Sequence, residues 1–291
     1  MNIISLNGGL GNQLFQYSFG LALKYEYGYE VKFCKKFINK SQLSIEDIFD
    51  IKIFEPLEED YIKILGKLFV NDQIRNTSVR ILKKFGVNNF HNFRVEDYKN
   101  SFLSLPNLDN KFFFGYWQNF KYFFFHLKQI KKNLKFKVEN QIFNEFLKLK
   151  NDYSNIVCLH IRLGDYNTKK NLRVFSQIPM NYYLDSIKIF ERIYKNPVFI
   201  LFTNEFEKVN DSIKKKLNVI PSSNLSFEER NDFYLMSLCD SFIFSNSTFS
   251  IWAAYLSQKK DINFTKPDRW YISNDIEMAN YYFPSHWNCL N

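Results

Sequence analysis

Cysteine is scarce and scattered in this chain. Cys34, Cys158, Cys239 and Cys289 lie far apart, a spacing that matches neither a CxxC redox pair nor a paired zinc site, and two of them fall inside apolar patterns, so reduced thiols are expected. No uninterrupted apolar run reaches the length of a bilayer span, and the opening Met1-Asn2-Ile3-Ile4-Ser5-Leu6-Asn7 lacks the charged start and cleavage site of a signal peptide. A soluble, cytoplasmic protein is the expectation. A GxxxxGK[ST] loop is missing, which excludes a P-loop ATPase. Asp-x-Asp is missing too, and with it the usual manganese-holding pair of metal-dependent transferases. Internal repeats, Pro-rich linkers and low-complexity tracts are absent as well.

What is present points to a folded chain. At 291 residues and 46% hydrophobic content it can bury one large or two medium cores. The 33 Phe and 18 Tyr, alongside abundant Lys, Asn and Ile, match the coding bias of an AT-rich genome. A net charge of +9 calls for an anionic partner, whether nucleic acid, a membrane face or a phosphorylated small molecule, and charge alone does not choose among them.

Taken in order, the chain opens with a strand over Asn2 to Leu6, a turn Asn7-Gly8-Gly9-Leu10-Gly11-Asn12-Gln13, and a helix over about Leu14 to Tyr27. Strand, glycine turn and helix open a nucleotide-type α/β unit, but Leu14 stands where the dinucleotide fingerprint needs its third glycine, which disfavours a nicotinamide enzyme. Gly9 and Gly11 still let the backbone approach a ligand, with Asn12 and Gln13 offering amides at a helix start. A tight turn with no ligand is the plainer alternative. A second strand covers Glu30 to Phe33, and Lys35 to Asn110 yields no order. Phe112 to Asn119 reads as a strand ending in a turn, and Tyr122 to Leu134 as a helix. Lys128, Lys131, Lys132, Lys135 and Lys137 form either a solvated face or a surface for anionic lipid headgroups.

Beyond Asn151 the pattern sharpens. Strands fall at Asn155 to Leu159, Pro197 to Phe202, near Ile220, Ser241 to Phe244 and Ile262 to Phe264; helices at about Tyr182 to Tyr194, Phe206 to Leu217, Glu228 to Cys239 and Phe249 to Ser257. Such alternation means right-handed crossovers and a mainly parallel sheet, hence an α/β class. The polar Asp152 to Asn155 marks a boundary between domains 1–151 and 152–291.

Three strand ends carry chemistry. Val157-Cys158-Leu159-His160-Ile161-Arg162-Leu163-Gly164-Asp165-Tyr166 runs from a buried strand into His, Arg and Asp at its carboxyl end, where open α/β sheets bind ligands. Arg162 either grips a phosphate with its planar fork or pairs with Asp165. Thr203-Asn204-Glu205 ends the next strand, with Thr203 or Asn204 as a helix cap or as part of the same rim. Ser245-Asn246-Ser247-Thr248-Phe249-Ser250 follows a helix containing Asp232 and opens another helix. A cap accounts for one of its hydroxyls, and the remainder suit an anion at the helix N-terminus. Together the three ends make a nucleotide site, its diphosphate neutralised by Arg162, helix N-termini and hydroxyls without a divalent ion.

These stretches, with Gly8 to Tyr17 and Gly115-Tyr116-Trp117-Gln118, resemble the α-1,2-fucosyltransferases of glycosyltransferase family 11, in the family's order from near residue 1 to beyond 256. The resemblance implies a GT-B fold, α/β with two Rossmann-like domains across a cleft, the N-terminal one on the acceptor side. It implies GDP-β-L-fucose as donor, the 2-hydroxyl of a terminal galactose as acceptor, inversion at the fucose anomeric carbon, and no metal or other cofactor. By residue, it makes Arg162 the β-phosphate ligand, His160 a lining of the same pocket, Ser247, Thr248 and Phe249 nucleotide contacts, and Asp232 a guanine contact. Gly9, Gly11 and Asn204 join the donor-binding set, and Asn12 faces the reacting centre. The family commonly has a second Arg after the first, where this chain has Leu163. Asp165 is the first candidate for a base and Glu205 the second, with orientation of Arg162 as the other role for Asp165. Partners implied are the sugar nucleotide and a galactose-terminated surface glycan, met at the inner membrane face; nucleic acid is not among them. The readings from other classes are a basic polyanion- or nucleic-acid-binding protein and a sugar-nucleotide transferase with another donor.

Overall fold

The computed structural model describes residues 1–87, 89–96, 107–137, 140–164, 171–226, 228–272 and 281–290. The chain divides into two compact units, Met1–Phe136 and Lys137–Asn291. The first runs β1 (Asn2–Asn7), α1 (Leu10–Tyr27), β2 (Val31–Phe37), α2 (Ile45–Ile48), α3 (Glu58–Leu65), α4 (Asp72–Lys84), β3 (Asn89–Phe90), β4 (Phe93–Val95), β5 (Phe112–Phe114) and α5 (Leu127–Asn133). The second runs α6 (Asn140–Asp152), β6 (Asn155–Ile161), α7 (Met180–Ile193), β7 (Pro197–Thr203), α8 (Asp211–Lys214), β8 (Val219–Pro221), α9 (Glu229–Leu238), β9 (Ser241–Ile243), α10 (Thr248–Leu256), β10 (Asn263–Thr265) and β11 (Asn288–Cys289). The expected boundary at 151/152 falls at the far end of α6. That helix belongs with the second unit because Lys150 pairs with Asp240 and the Asp152 carbonyl accepts from Asn196 Nδ2 at 2.9 Å.

In the first unit the sheet order is β2-β1-β5-β4-β3, parallel except for the β3–β4 hairpin. β1 is buried along nearly its whole length, as a central parallel strand must be, its polar Asn2 and Ser5 included. α1 lies so close to it that a Cβ on Gly20 would meet the Phe33 ring at 2.6 Å and Ile4 at 3.0 Å. The unordered stretch from Lys35 to Asn110 holds α2, α3, α4 and the hairpin. Its pattern is unreadable for a physical reason: Arg75 fills a core position of α4, fully buried, its guanidinium 4.1 Å from the Tyr61 ring and donating to the Phe69 carbonyl at 2.7 Å. Meanwhile Ile74, Ile81 and Phe85 point outward. The helix expected over Tyr122 to Leu134 is split into 3-10 turns at Phe120–Tyr122 and Phe124–His126 before α5 begins.

The second unit's sheet has the order β11-β10-β9-β6-β7-β8, and every neighbouring pair is parallel. From β6 the chain steps outward through β7 to β8, returns to lie beside β6 as β9, and steps outward again. That is the 3-2-1-4-5-6 order of a doubly wound sheet, whose crevice opens at the carboxyl ends of the strands where the winding reverses, here β6 and β9. Val157, Leu159 and Ile161 of β6 pack with Ile187 and Phe190 of α7 in the core. The helix expected over Phe206 to Leu217 is a 3-10 turn at Phe206–Lys208 followed by the four residues of α8, because Asn210 restarts it by accepting from Ser212 N at 2.8 Å. Among the described residues no helix is long and apolar enough to cross a membrane, and all four cysteines are free thiols.

Candidate functional site

At the carboxyl end of β6 the chain passes through His160, Ile161, Arg162, Leu163 and Gly164. His160 is buried, and its Nδ1 lies 2.9 Å from Ser250 Oγ on α10. Ser250 Oγ also lies 3.3 Å from the Ser247 carbonyl, so this hydroxyl joins the start of the helix to the His160 ring. Burial, then the charge of Arg162, holds the His160 pKa down to about 3, so the ring stays neutral at any physiological pH. His160 thus places no competing cation beside Arg162.

The backbone after Arg162 is fixed by Asn204. Its Oδ1 accepts from Leu163 N at 2.9 Å and its Nδ2 donates to the Leu163 carbonyl at 3.3 Å, so one side chain takes the place of a neighbouring strand. Gly164 follows with φ +59°, and a Cβ there would run into the Asn204 amide nitrogen. Asn204 is therefore not the helix cap expected as one alternative. Thr203 Oγ1 accepts from Glu205 N at 3.3 Å instead. Glu205 Oε1 accepts from Lys208 Nζ at 2.7 Å, which holds that carboxyl below its usual range. Leu163 packs against the core cluster around β6 and α7. Asp165 lies outside the described residues.

The hydroxyl-rich run before α10 has more structural work than the sequence suggested. Ser247 caps the helix, its Oγ accepting from Phe249 N at 3.3 Å. Asn246 Nδ2 donates to the Ser176 carbonyl at 2.9 Å and to the Trp270 carbonyl at 3.1 Å, Ser250 holds His160, and Ser245 donates to Asn246 Oδ1 at 3.4 Å. The expectation that a cap leaves these groups without a purpose is corrected: four of the five named polar side chains brace loops. Thr248 opens the helix and Phe249 lies beside His160, ring centroids 6.3 Å apart, and edge-on to Phe233 of α9 at 4.8 Å. Asp232, also on α9, is close enough to β6 that its charge, after burial and the neighbouring Cys239, helps push the Cys158 thiol up. His160, Arg162, Asn204, Ser247, Thr248 and Phe249 all belong to this one end of the sheet, and Asp232 lies near Cys158 in the middle of β6.

Arg162 and Leu163 line a cavity of about 180 Å³ with Ser176, Gln177, Tyr183 and Asn246. Those four were missed as site residues. Asn246 stood in a recognised motif; nothing in the sequence marked Ser176 and Gln177. Among the described residues no cluster of three His, Cys, Asp or Glu side chains could hold a metal ion.

The other set sits in the first unit. Gly8 has φ +77°, and a Cβ there would come within 2.5 Å of Asn12 Nδ2. Asn12 Oδ1 accepts from Gln118 Nε2 at 2.7 Å. Trp117, φ +54°, stacks on Phe19 with centroids 4.4 Å apart and so fixes the turn that delivers Gln118. Gln13 was expected to offer its amide to a ligand. It is fully buried, and its Nε2 donates to the Gly8 and Leu43 carbonyls, both at 2.9 Å. Gly9 caps α1 without a side-chain bond, with Gly11 in its first turn.

The description Glycosyl transferase family 11 matches residues 1–291. The chain belongs to this family. It is 27% identical over 290 residues to an alpha-1,2-colitosyltransferase of Escherichia coli, spanning 94% of this chain and 93% of that protein. It is 29% identical over 121 residues to galactoside alpha-(1,2)-fucosyltransferase 2 of Rattus norvegicus, a match covering 40% of this chain and 34% of that protein. In structure it is similar to NodZ alpha-1,6-fucosyltransferase soaked with GDP-fucose, with a TM-score of 0.51 and 14% identity over 88% of this chain and 92% of that one. The fold is α/β of GT-B type, with two Rossmann-like units. The family 11 protein is thus a fucosyltransferase-like glycosyltransferase whose relatives transfer fucose or colitose in α-1,2 linkage, which sets aside the polyanion-binding reading.

Proposed function

We propose that this family 11 protein moves L-fucose from GDP-β-L-fucose to the 2-hydroxyl of a terminal galactose on a surface glycan, with inversion and without a metal. The observation that carries the reading is Arg162, lining a cavity at the carboxyl end of the strand where the winding reverses, with the N-terminus of α10 at the same end. As the bond from fucose C1 to the diphosphate oxygen breaks, positive charge grows on the sugar ring and negative charge on GDP. A fixed guanidinium and helix-start donors at the β-phosphate are then stronger partners for the transition state than for bound donor. Arg162 takes that role. His160, Asn204, Ser247, Thr248 and Phe249 complete the nucleotide site, Asp232 takes the guanine, and Gly9, Gly11 and Asn12 are assigned to the transfer by the family motif they carry. The acceptor oxygen attacks C1 opposite the departing GDP, and its proton goes to a carboxylate, Asp165 first and Glu205 second. Glu205, held ionised by Lys208, is the weaker base of the two.

A second reading keeps the mechanism and exchanges fucose for colitose, favoured by the near full-length match to a colitosyltransferase. GDP release from GDP-fucose with a panel of terminal galactosides, in EDTA, separates them. Galactoside-dependent release of fucosylated product supports the first reading. Turnover only with a colitosyl donor favours the second, and no transfer from either donor ends both. Lys128, Lys132 and Lys135 are exposed close in sequence to the exposed Phe124 and Phe125, the latter 87% exposed, a basic and aromatic stretch suited to peripheral contact with anionic lipid. Sedimentation with anionic but not with zwitterionic vesicles, lost in Phe125→Asp, is the expected outcome; retention by the variant refutes the contact.

A further inference from the structure

A cavity of about 650 Å³ in the second unit shares Phe175, Ser176, Gln177 and Ile178 with the smaller one at Arg162. Its volume falls among small-molecule sites, roughly 300–1,000 Å³, whereas the Arg162 cavity lies below that range. The shared wall is a fixed ribbon. Phe175 bridges Tyr271 in antiparallel register, Ile272 N donates to the Val174 carbonyl at 2.9 Å, and Asn246 ties both strands through the Ser176 and Trp270 carbonyls. Whatever occupies one cavity therefore sits against a wall of the other.

The chemistry of the larger cavity is unlike that of a phosphate site. Leu172, Ile272 and the rings of Phe175 and Tyr182 give it apolar faces. Tyr182 offers only its ring, since its hydroxyl is taken by the Phe244 carbonyl at 2.8 Å. Asp268 and Arg269 line the opening, both exposed, and among the described residues neither has a hydrogen-bond or ion-pair partner. One carboxylate and one guanidinium cancel in charge, so an anion gains nothing there overall. They do present planar pairs of acceptors and donors, which match adjacent hydroxyls, while the apolar walls match the C–H faces of a pyranose ring. A neutral ligand rich in hydroxyls fits both features.

We propose that this cavity, walled by Phe175, Tyr182 and Ile272 and gripped by Asp268 and Arg269, is a subsite for a neutral sugar of the acceptor glycan. The proposal rests on the transferase reading, with the donor diphosphate at Arg162. It assigns acceptor-length preference to the second unit.

The test is steady-state transfer from GDP-fucose to a methyl galactoside and to galactose-terminated di- and trisaccharides, using Asp268→Ala and Arg269→Ala. Both positions are exposed, so the variants keep the fold. The expected result is that KM for the longer acceptors rises at least about tenfold, while donor KM and transfer to the methyl galactoside stay unchanged. Unchanged acceptor KM values overturn the subsite. A raised donor KM also overturns it and gives the cavity to the donor sugar. Saturation-transfer NMR of the trisaccharide with the GDP-loaded protein separates the two levels of failure: glycan binding lost in the variants without any transfer refutes the transferase reading alone, and no binding in either protein refutes the subsite.

Discussion

The rims of the two sheets invite comparison, because each ends a buried strand in motif residues and uses them differently. In the first unit the amides face inward. Gln13 holds two carbonyls, and Gln16 accepts from Asn7 N at 2.8 Å while donating to the Gly115 carbonyl at 2.8 Å. In the second unit Asn204, Asn246 and Ser250 also brace loops, yet they leave Arg162 lining a cavity. A dense polar motif is therefore mostly scaffold, and the chemistry rests on the few side chains the scaffold presents.

The sharpest way to break this contrast is Arg162→Ala. A guanidinium that stabilises the departing diphosphate is worth about 10³-fold in kcat, judged by single-donor losses at oxyanion sites, and its removal leaves the bracing bonds in place. Transfer should fall by about that factor in the folded protein. A loss under tenfold would show that the diphosphate is held elsewhere. Gln13→Ala should behave oppositely. It strips two buried carbonyls of their donor and leaves a gap, costing about 2–4 kcal/mol of stability, while kcat in the folded fraction changes little. Chemical denaturation beside single-turnover kinetics reads both. Should Gln13→Ala abolish kcat at full stability, the division between bracing and presenting residues is wrong.

The same contrast explains what the sequence disclosed. The strands of the second unit were legible because continuous apolar runs admit few alternatives, and β6 with its His160-x-Arg162 end stands where the strand pattern put it. The first unit's middle was not, because Arg75 occupies the core while Ile81 and Phe85 face out, inverting the expected pattern. At the site, residue identity was visible and structural duty was not: Ser247 also caps the helix by accepting from Phe249 N, and Ser250 also braces His160. Gln177, Asp268 and Arg269 carried no signal, since cavity walls from loops have no periodicity to betray them.

The smallest expected effect separates the two scaffolds by pH. Amides do not titrate, so the Gln13 and Gln16 braces are indifferent to acid, whereas burial of the His160 ring, with Arg162 beside it, favours the neutral form. The ring's pKa is about 3 in the folded chain against an ordinary 6.5. The unfolded chain therefore binds the extra proton first. The contribution of His160 is fully present above pH 6.5 and declines by about 1.4 kcal/mol per pH unit as pH falls below it, until the folded ring protonates as well. Between pH 6.5 and 5.5, His160→Asn should lose less stability than the wild-type chain by about 1 kcal/mol, measured by urea unfolding at each pH. Parallel slopes would mean that the ring already shares a proton in the native state. In that case Arg162 has a cation beside it, and the presenting role assigned to this rim must pass to other residues.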